Sequence, residues 1–145
     1  MIKKILEKTM VLIAVVIFIG TVNVLAADNN HITVYVNDSI LDADVNAQII
    51  NSITMVPMRA IFETLGAEVI WDETNETVTA KKNGTEISLK INDNKMTKNG
   101  WEIELDAPAI LLSDHTMLPL RAVSEAFGAA VTWDEQNRIV NIEFI

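Results

Sequence analysis

Residues 54–82 read TMVPMRAIFETLGAEVIWDETNETVTAKK, and residues 116–144 read TMLPLRAVSEAFGAAVTWDEQNRIVNIEF. At an offset of 62 the two stretches align without a gap and agree at 14 of 29 positions. Thr54, Met55, Pro57, Arg59, Ala60, Glu63, Gly66, Ala67, Val69, Trp71, Asp72, Glu73, Asn75 and Val78 each meet their own residue type in the second copy. A fainter echo precedes each copy. Ile32 to Asp38 reads ITVYVND and Ile87 to Asp93 reads ISLKIND, at an offset of 55, so seven extra residues separate echo from core in the second copy. Two copies are too few for a solenoid. The pattern predicts one domain of pseudo-twofold construction, with repeats over about 32–82 and 87–145.

Each copy carries the same local grammar. Pro57 and Pro119 are expected at a first helical position, where a missing N–H costs nothing and the fixed φ suits a helix start. A helix of about nine residues then runs to Gly66 or Gly128, either of which can take the left-handed conformation that closes it. Met58, Ile61, Phe62 and Leu65 form one apolar stripe; Leu120, Val123 and Phe127 form the other. Past the glycine, Val69 and Trp71 alternate with Glu68 and Ile70 as a strand, Asp72 to Glu76 is a turn, and Val78 and Ala80 mark a second strand. The second copy ends likewise, with Ile142 and Phe144 inward and Asn141 and Glu143 outward. The expected fold class is therefore α+β: antiparallel β-sheet and hairpins packed on two short helices, internally duplicated as helix plus β-hairpin, twice.

Between the copies, Asn83-Gly84 signals a hairpin joining strands 77–82 and 85–91, and Asn99-Gly100 one joining 95–98 and 101–106. Alternation sets Trp101, Ile103 and Leu105 toward a core and Glu102, Glu104 and Asp106 toward water. Pro108 and Ile110-Leu111-Leu112 then lead through a turn at Ser113-Asp114-His115 into the second helix.

The composition narrows the possibilities further. At 145 residues the chain has the size of one domain, and half of it is hydrophobic. Eleven Lys and Arg against 20 Asp and Glu give a net charge of -9, which argues against nucleic acid, since phosphate binding needs a basic face. The absence of cysteine excludes disulfides, thiolate metal sites, cysteine nucleophiles and acylation on cysteine, lipoprotein anchoring included. Residues 1–26 read as a secretory signal peptide. Lys3, Lys4 and Lys8 open it, Met10 to Gly20 is an apolar or glycine run, and Val24-Leu25-Ala26 presents small residues before a cleavage site after Ala26. The alternative is an uncleaved anchor, but the run falls short of the ~20 apolar residues needed to span a bilayer. Cleavage would remove those lysines and Glu7, take the net charge to -11, and leave no membrane span. Residues 27–31 read as a flexible tail and 32–145 as the folded domain, in a secreted or cell-envelope protein.

The segment VPMRAIFETLGAEVIWD, repeated as LPLRAVSEAFGAAVTWD, resembles the copper amine oxidase N-terminal-like domain, or stalk domain, of exported bacterial proteins. The resemblance spans about Ile32 to Ile145. It implies a small antiparallel sheet wrapped on one or two helices, and an accessory module that accompanies peptidase, hydrolase or wall-binding domains. It does not carry the oxidase chemistry. That chemistry needs three histidine ligands and a tyrosine converted to a quinone, and this chain has two histidines, His31 and His115, and one tyrosine, Tyr35. No cofactor or metal is expected, and both histidines read as solvated loop residues.

Several residues remain candidates for a site. Arg59 and Arg121 sit in the first helical turn, where a cation opposes the helix dipole. They could bind an anion; the reading preferred here is a structural ion pair with Glu63 and Glu125 four residues on, approached by Asp72 and Asp134 from the hairpins. The Asp72–Asn75 and Asp134–Asn137 turns hold clustered oxygens but lack calcium-loop spacing, so ordinary turn chemistry is expected. Asp42-x-Asp44 is a weaker cluster. Acidic pairs suit a glycosidase in principle, but G-x-S-x-G, H-E-x-x-H and phosphate-cradling loops are all missing. Trp71 and Trp133 are expected in the core, packing hairpin on helix. Trp101 is expected there too, although its hairpin can form an edge, and Tyr35 points outward from Ile32, Val34 and Val36. Tyr35 and Trp101 are thus the candidate exposed contacts, and Pro57, Arg59, Glu63, Gly66, Trp71, Asp72, Pro119, Arg121, Glu125, Gly128, Trp133 and Asp134 the structural motif. The expected function is a non-catalytic module for protein interaction or assembly, self-association included, through a sheet edge. Wall-glycan binding is the alternative, and a hydrolase a distant third.

Overall fold

The computed structural model describes residues 31–43 and 45–144. The expected signal peptide with its expected cleavage site, residues 27–30 of the expected tail, Asp44 and Ile145 lie outside the described residues. Within them the chain forms thirteen strands and two helices: β1 (Thr33–Val36), β2 (Ser39–Ile40), β3 (Gln48–Ile50), β4 (Ile53–Pro57), α1 (Met58–Leu65), β5 (Glu68–Asp72), β6 (Thr77–Lys82), β7 (Thr85–Lys90), β8 (Lys95–Lys98), β9 (Trp101–Glu104), β10 (Ile110–Leu112), β11 (His115–Pro119), α2 (Leu120–Ala126), β12 (Ala129–Asp134) and β13 (Ile139–Phe144). The fold is α+β and mostly antiparallel. No described helix is long and apolar enough to cross a membrane.

Strands β4 and β11 pair at the centre, in a sheet ordered β10-β11-β4-β3. Their register sets Val56 opposite Leu118, Met55 opposite Pro119 and Pro57 opposite Met117. Val56 and Leu118 are fully buried and lie 62 positions apart, so each motif enters its helix from the same strand pair. Pro57 and Pro119 are the last strand residues, not the first helical ones: they occupy the N-caps at φ -60 and -65, with extended ψ of 131 and 111. Proline holds φ near that value and donates no hydrogen bond, so it ends a strand where the chain swings into a helix. Helices of eight and seven residues are marginal alone, and packing holds them. Ile61, Phe62, Leu65, Leu120 and Val123 are all buried. Phe62 meets Phe127 edge-on, ring centroids 6.2 Å apart, which locks the end of one helix against the other. Gly66 closes α1 at φ 71, as its place after the apolar stripe predicts.

Each helix feeds a hairpin. The β5-β6 hairpin continues through β7, β8 and β9 into a five-stranded sheet, and β12-β13 is joined by β1 and β2. The echo segments take matching places beside β6 and β13, but β7 runs antiparallel to its neighbour whereas β1 runs parallel, Thr33 opposite Ile139. The seven extra residues of the second copy fall in the stretch that forms β8 and β9.

Four expectations fail here. The Ser113–His115 turn is a hairpin: Ser113 and Asp114, at φ 48 and 64, turn β10 into β11, and His115 is the first residue of a strand. Its counterpart β3-β4 turns at Asn51 and Ser52, at φ 50 and 68. Trp101 and Ile103 do not face a core: β9 is the outer strand of its sheet, and all four of its residues are exposed. Trp71 lies on the opposite outer strand, β5, and is 40% exposed rather than in the core. Tyr35 is half-buried on β1, so Trp101 rather than Tyr35 is the most exposed aromatic among the described residues, at 79%.

Candidate functional site

Two clefts open beside the helices, and their walls are built from residues 62 positions apart. The first, about 530 Å³, is lined by Ser52, Ile53 and Thr54 from the β3-β4 hairpin and by Pro119, Leu120, Arg121, Ala122 and Glu125 at the start of α2. The second, about 430 Å³, is lined by Asp114, His115 and Thr116 from the β10-β11 hairpin and by Pro57, Met58, Arg59, Ala60 and Glu63 at the start of α1. Each helix therefore faces the other motif's hairpin turn, a consequence of the β4-β11 pairing.

The third wall differs. In the first cleft it is Met96, Lys98, Ile103, Glu104, Leu105 and Asp106 from the β8-β9 region, with Val131, Trp133 and Val140 as further lining. In the second it is the short loop Asp42, Ala43 and Val45. The first cleft is the more apolar, with buried Met96, Leu105, Leu120 and Val140 in its floor, and its size lies within the range of ligand pockets.

The charged residues depart from expectation in an instructive way. Arg121 Nη1 donates to Glu125 Oε1 at 3.3 Å and to the Val131 carbonyl at 3.2 Å, joining α2 to β12. Arg59 makes no such pair with Glu63 among the described residues; both line the second cleft. Neither Asp72 nor Asp134 reaches an arginine. Each accepts from its own turn: Asn75 N and Nδ2 at 3.0 and 2.7 Å for Asp72, Asn137 N and Nδ2 at 3.1 and 2.8 Å for Asp134. The asparagine side chain, then its backbone N–H, holds each carboxyl below its ordinary pKa. Among the described residues no group of three or more histidines and acids is placed to hold a metal ion. His31 is exposed, and His115 is half-buried at the second cleft.

Of the motif residues, Pro57, Arg59 and Glu63 line the second cleft and Pro119, Arg121, Glu125 and Trp133 the first, whereas Gly66, Trp71, Asp72, Gly128 and Asp134 line neither. Trp133 is half-buried, with the Arg138 guanidinium 6.0 Å from its ring centroid. The exposed large apolar residues Ile40, Ile49, Ile70, Trp71, Trp101, Ile103 and Leu111 all lie on outermost strands, β2, β3, β5, β9 and β10. Alternation sets Ile70 with Glu68 on the outer face of its strand, and the same period within short apolar runs such as Ile110-Leu111-Leu112 is the signal that marks Leu111 as a surface residue.

These features define a small antiparallel α+β module whose surface presents apolar sheet edges and two clefts. The copper amine oxidase N-terminal domain family matches residues 35–142, and the chain belongs to that family. The domain is the N-terminal, non-catalytic part of such oxidases. A comparison with curated proteins finds no matching relative.

Proposed function

We propose that this protein is a non-catalytic module, exported to the cell envelope or beyond, that acts in protein interaction or assembly through its open sheet edges. One observation carries the reading: the exposed large apolar side chains gather on outermost strands, where unpaired backbone groups can accept another strand. The signal-peptide pattern of residues 1–26 supports export, and the 14 identities in 29 positions support an origin by internal duplication. To test the reading, photo-crosslinking residues are placed at positions 70 and 103 in the native host, and retention of the purified protein on wall sacculi is measured alongside its sedimentation. Crosslinks to a protein are expected. A monomer that is retained on sacculi and crosslinks to no protein would sink the proposal.

Binding to wall glycan is the second reading. Trp71 and Trp101 are exposed on opposite edges of one sheet and offer faces for stacking on sugar rings.

A further inference from the structure

Resting on the reading of the sheet edges as contact surfaces, we propose that the cleft between β9 and α2 takes an extended peptide of alternating apolar and basic residues, added to β9 as a further strand. Strand β9 is outermost, so its outward N–H and C=O groups have no partner in the sheet. Arg121, Ala122 and Glu125 of α2 line the same cleft as Ile103 and Glu104 of β9, so a chain laid along the edge lies between strand and helix.

The two faces of β9 dictate what that chain must be. Trp101 pairs with Lys98 and Ile103 with Met96, and Lys98, Met96 and Ile103 all line the cleft, so this face is apolar apart from the Lys98 ammonium and opens into it. Glu102 pairs with Thr97 and Glu104 with Lys95, so the other face is acidic. Lys95 Nζ donates to Glu102 at 2.6 Å and also faces Asp93 and Glu104, and one ammonium among three carboxylates leaves an acidic excess. An added strand alternates with the same period of two. Its side chains beside Trp101 and Ile103 drop toward the cleft and are apolar; those beside Glu102 and Glu104 are Lys or Arg, forming cross-strand ion pairs. A second copy is a poor occupant. Pairing β9 with its own copy, or with β5, sets Glu102 and Glu104 beside one another or beside Glu68 and Asp72.

The probe is a fluorescein-labelled heptapeptide of alternating lysine and leucine, titrated into the purified protein by anisotropy. Saturable binding is expected, about tenfold weaker for the glutamate–leucine counterpart and for a version N-methylated on the amides facing β9. Glu102→Gln with Glu104→Gln should weaken binding several-fold, and Ala122→Leu should weaken it by narrowing the cleft, with melting curves unchanged for the Gln pair. Binding indifferent to N-methylation or to the Gln pair overturns the proposal, as does displacement of the peptide by soluble peptidoglycan fragments that themselves saturate the site. No binding by the peptide, while the position-70 crosslinker still captures a protein, overturns this site and leaves the broader reading standing. No binding and no crosslink at either position overturns both.

Discussion

Arg59 and Arg121 hold the same place in two motifs 62 residues apart, yet only Arg121 is tied down, to Glu125 and to the Val131 carbonyl. The neighbouring tryptophans divide the same way: Trp133 is half-buried under Arg138 and lines a cleft, whereas Trp71 is 40% exposed on an outer strand. At a third matched position, Phe62 fills the core between the helices while Ser124, equally buried, has a hydroxyl without a partner. Residues common to both motifs thus set backbone geometry, through the proline exits, glycine closures and Asp-x-x-Asn turns. What each side chain does depends on the unmatched surroundings, above all the β8-β9 hairpin that walls only the first cleft.

Substitution at matched positions tests that contrast. Phe62→Ala should destabilise by about 3–5 kcal/mol, the range for emptying an aromatic site in a core. Ser124→Ala should cost nothing and gain up to about 1 kcal/mol by removing an unsatisfied buried hydroxyl. Equal losses in urea melts would erase the distinction between the helices. Trp133→Ala should cost more than Trp71→Ala, by up to about 1 kcal/mol, since less of the Trp133 residue is exposed; calorimetry of the two variants decides.

Smaller effects sharpen the picture. Arg121→Ala should cost about 0.5 kcal/mol and Arg59→Ala less, both ends of the Arg121–Glu125 pair being exposed. Unchanged melting temperatures with lost ligand binding would instead make the arginines ligand contacts. The Asx turns should show no asymmetry. Asp72 and Asp134 both have folded pKa values below the ordinary ~3.9, so their stabilisation is fully present above that pH and lost as pH falls through the lower, folded value. Asp72→Ala and Asp134→Ala should therefore be destabilising at neutral pH by similar amounts, the difference from wild type vanishing in acid; a pH series of melts reads this directly.

The helices and the β5-β6, β6-β7, β8-β9 and β12-β13 hairpins were legible because proline, glycine, Asn-Gly and Asp-x-x-Asn mark them chemically. The β3-β4 and β10-β11 hairpins were not: Asn51-Ser52 and Ser113-Asp114 adopt positive φ without glycine, and that choice is made by the β4-β11 pairing around them. Period-two alternation assigned Trp101 and Ile103 to one face of a strand, and that face is real. Alternation says nothing of whether another layer covers the face, so Trp71 and Trp101 were placed inside. The first cleft was out of reach for the same reason, being assembled from five separated segments of chain.

Strand β1 lies between β2 and β13, antiparallel to the first and parallel to the second, with Thr33 beside Ile139, so one of its two neighbours comes from far along the chain. Hairpins can zip locally as the chain emerges, but this seam closes over more than a hundred residues of sequence and cannot form before β13 has been made. Until then β1 has only the two-residue strand β2 beside it. A nascent chain of this protein therefore stays unsealed at one flank until β13 arrives.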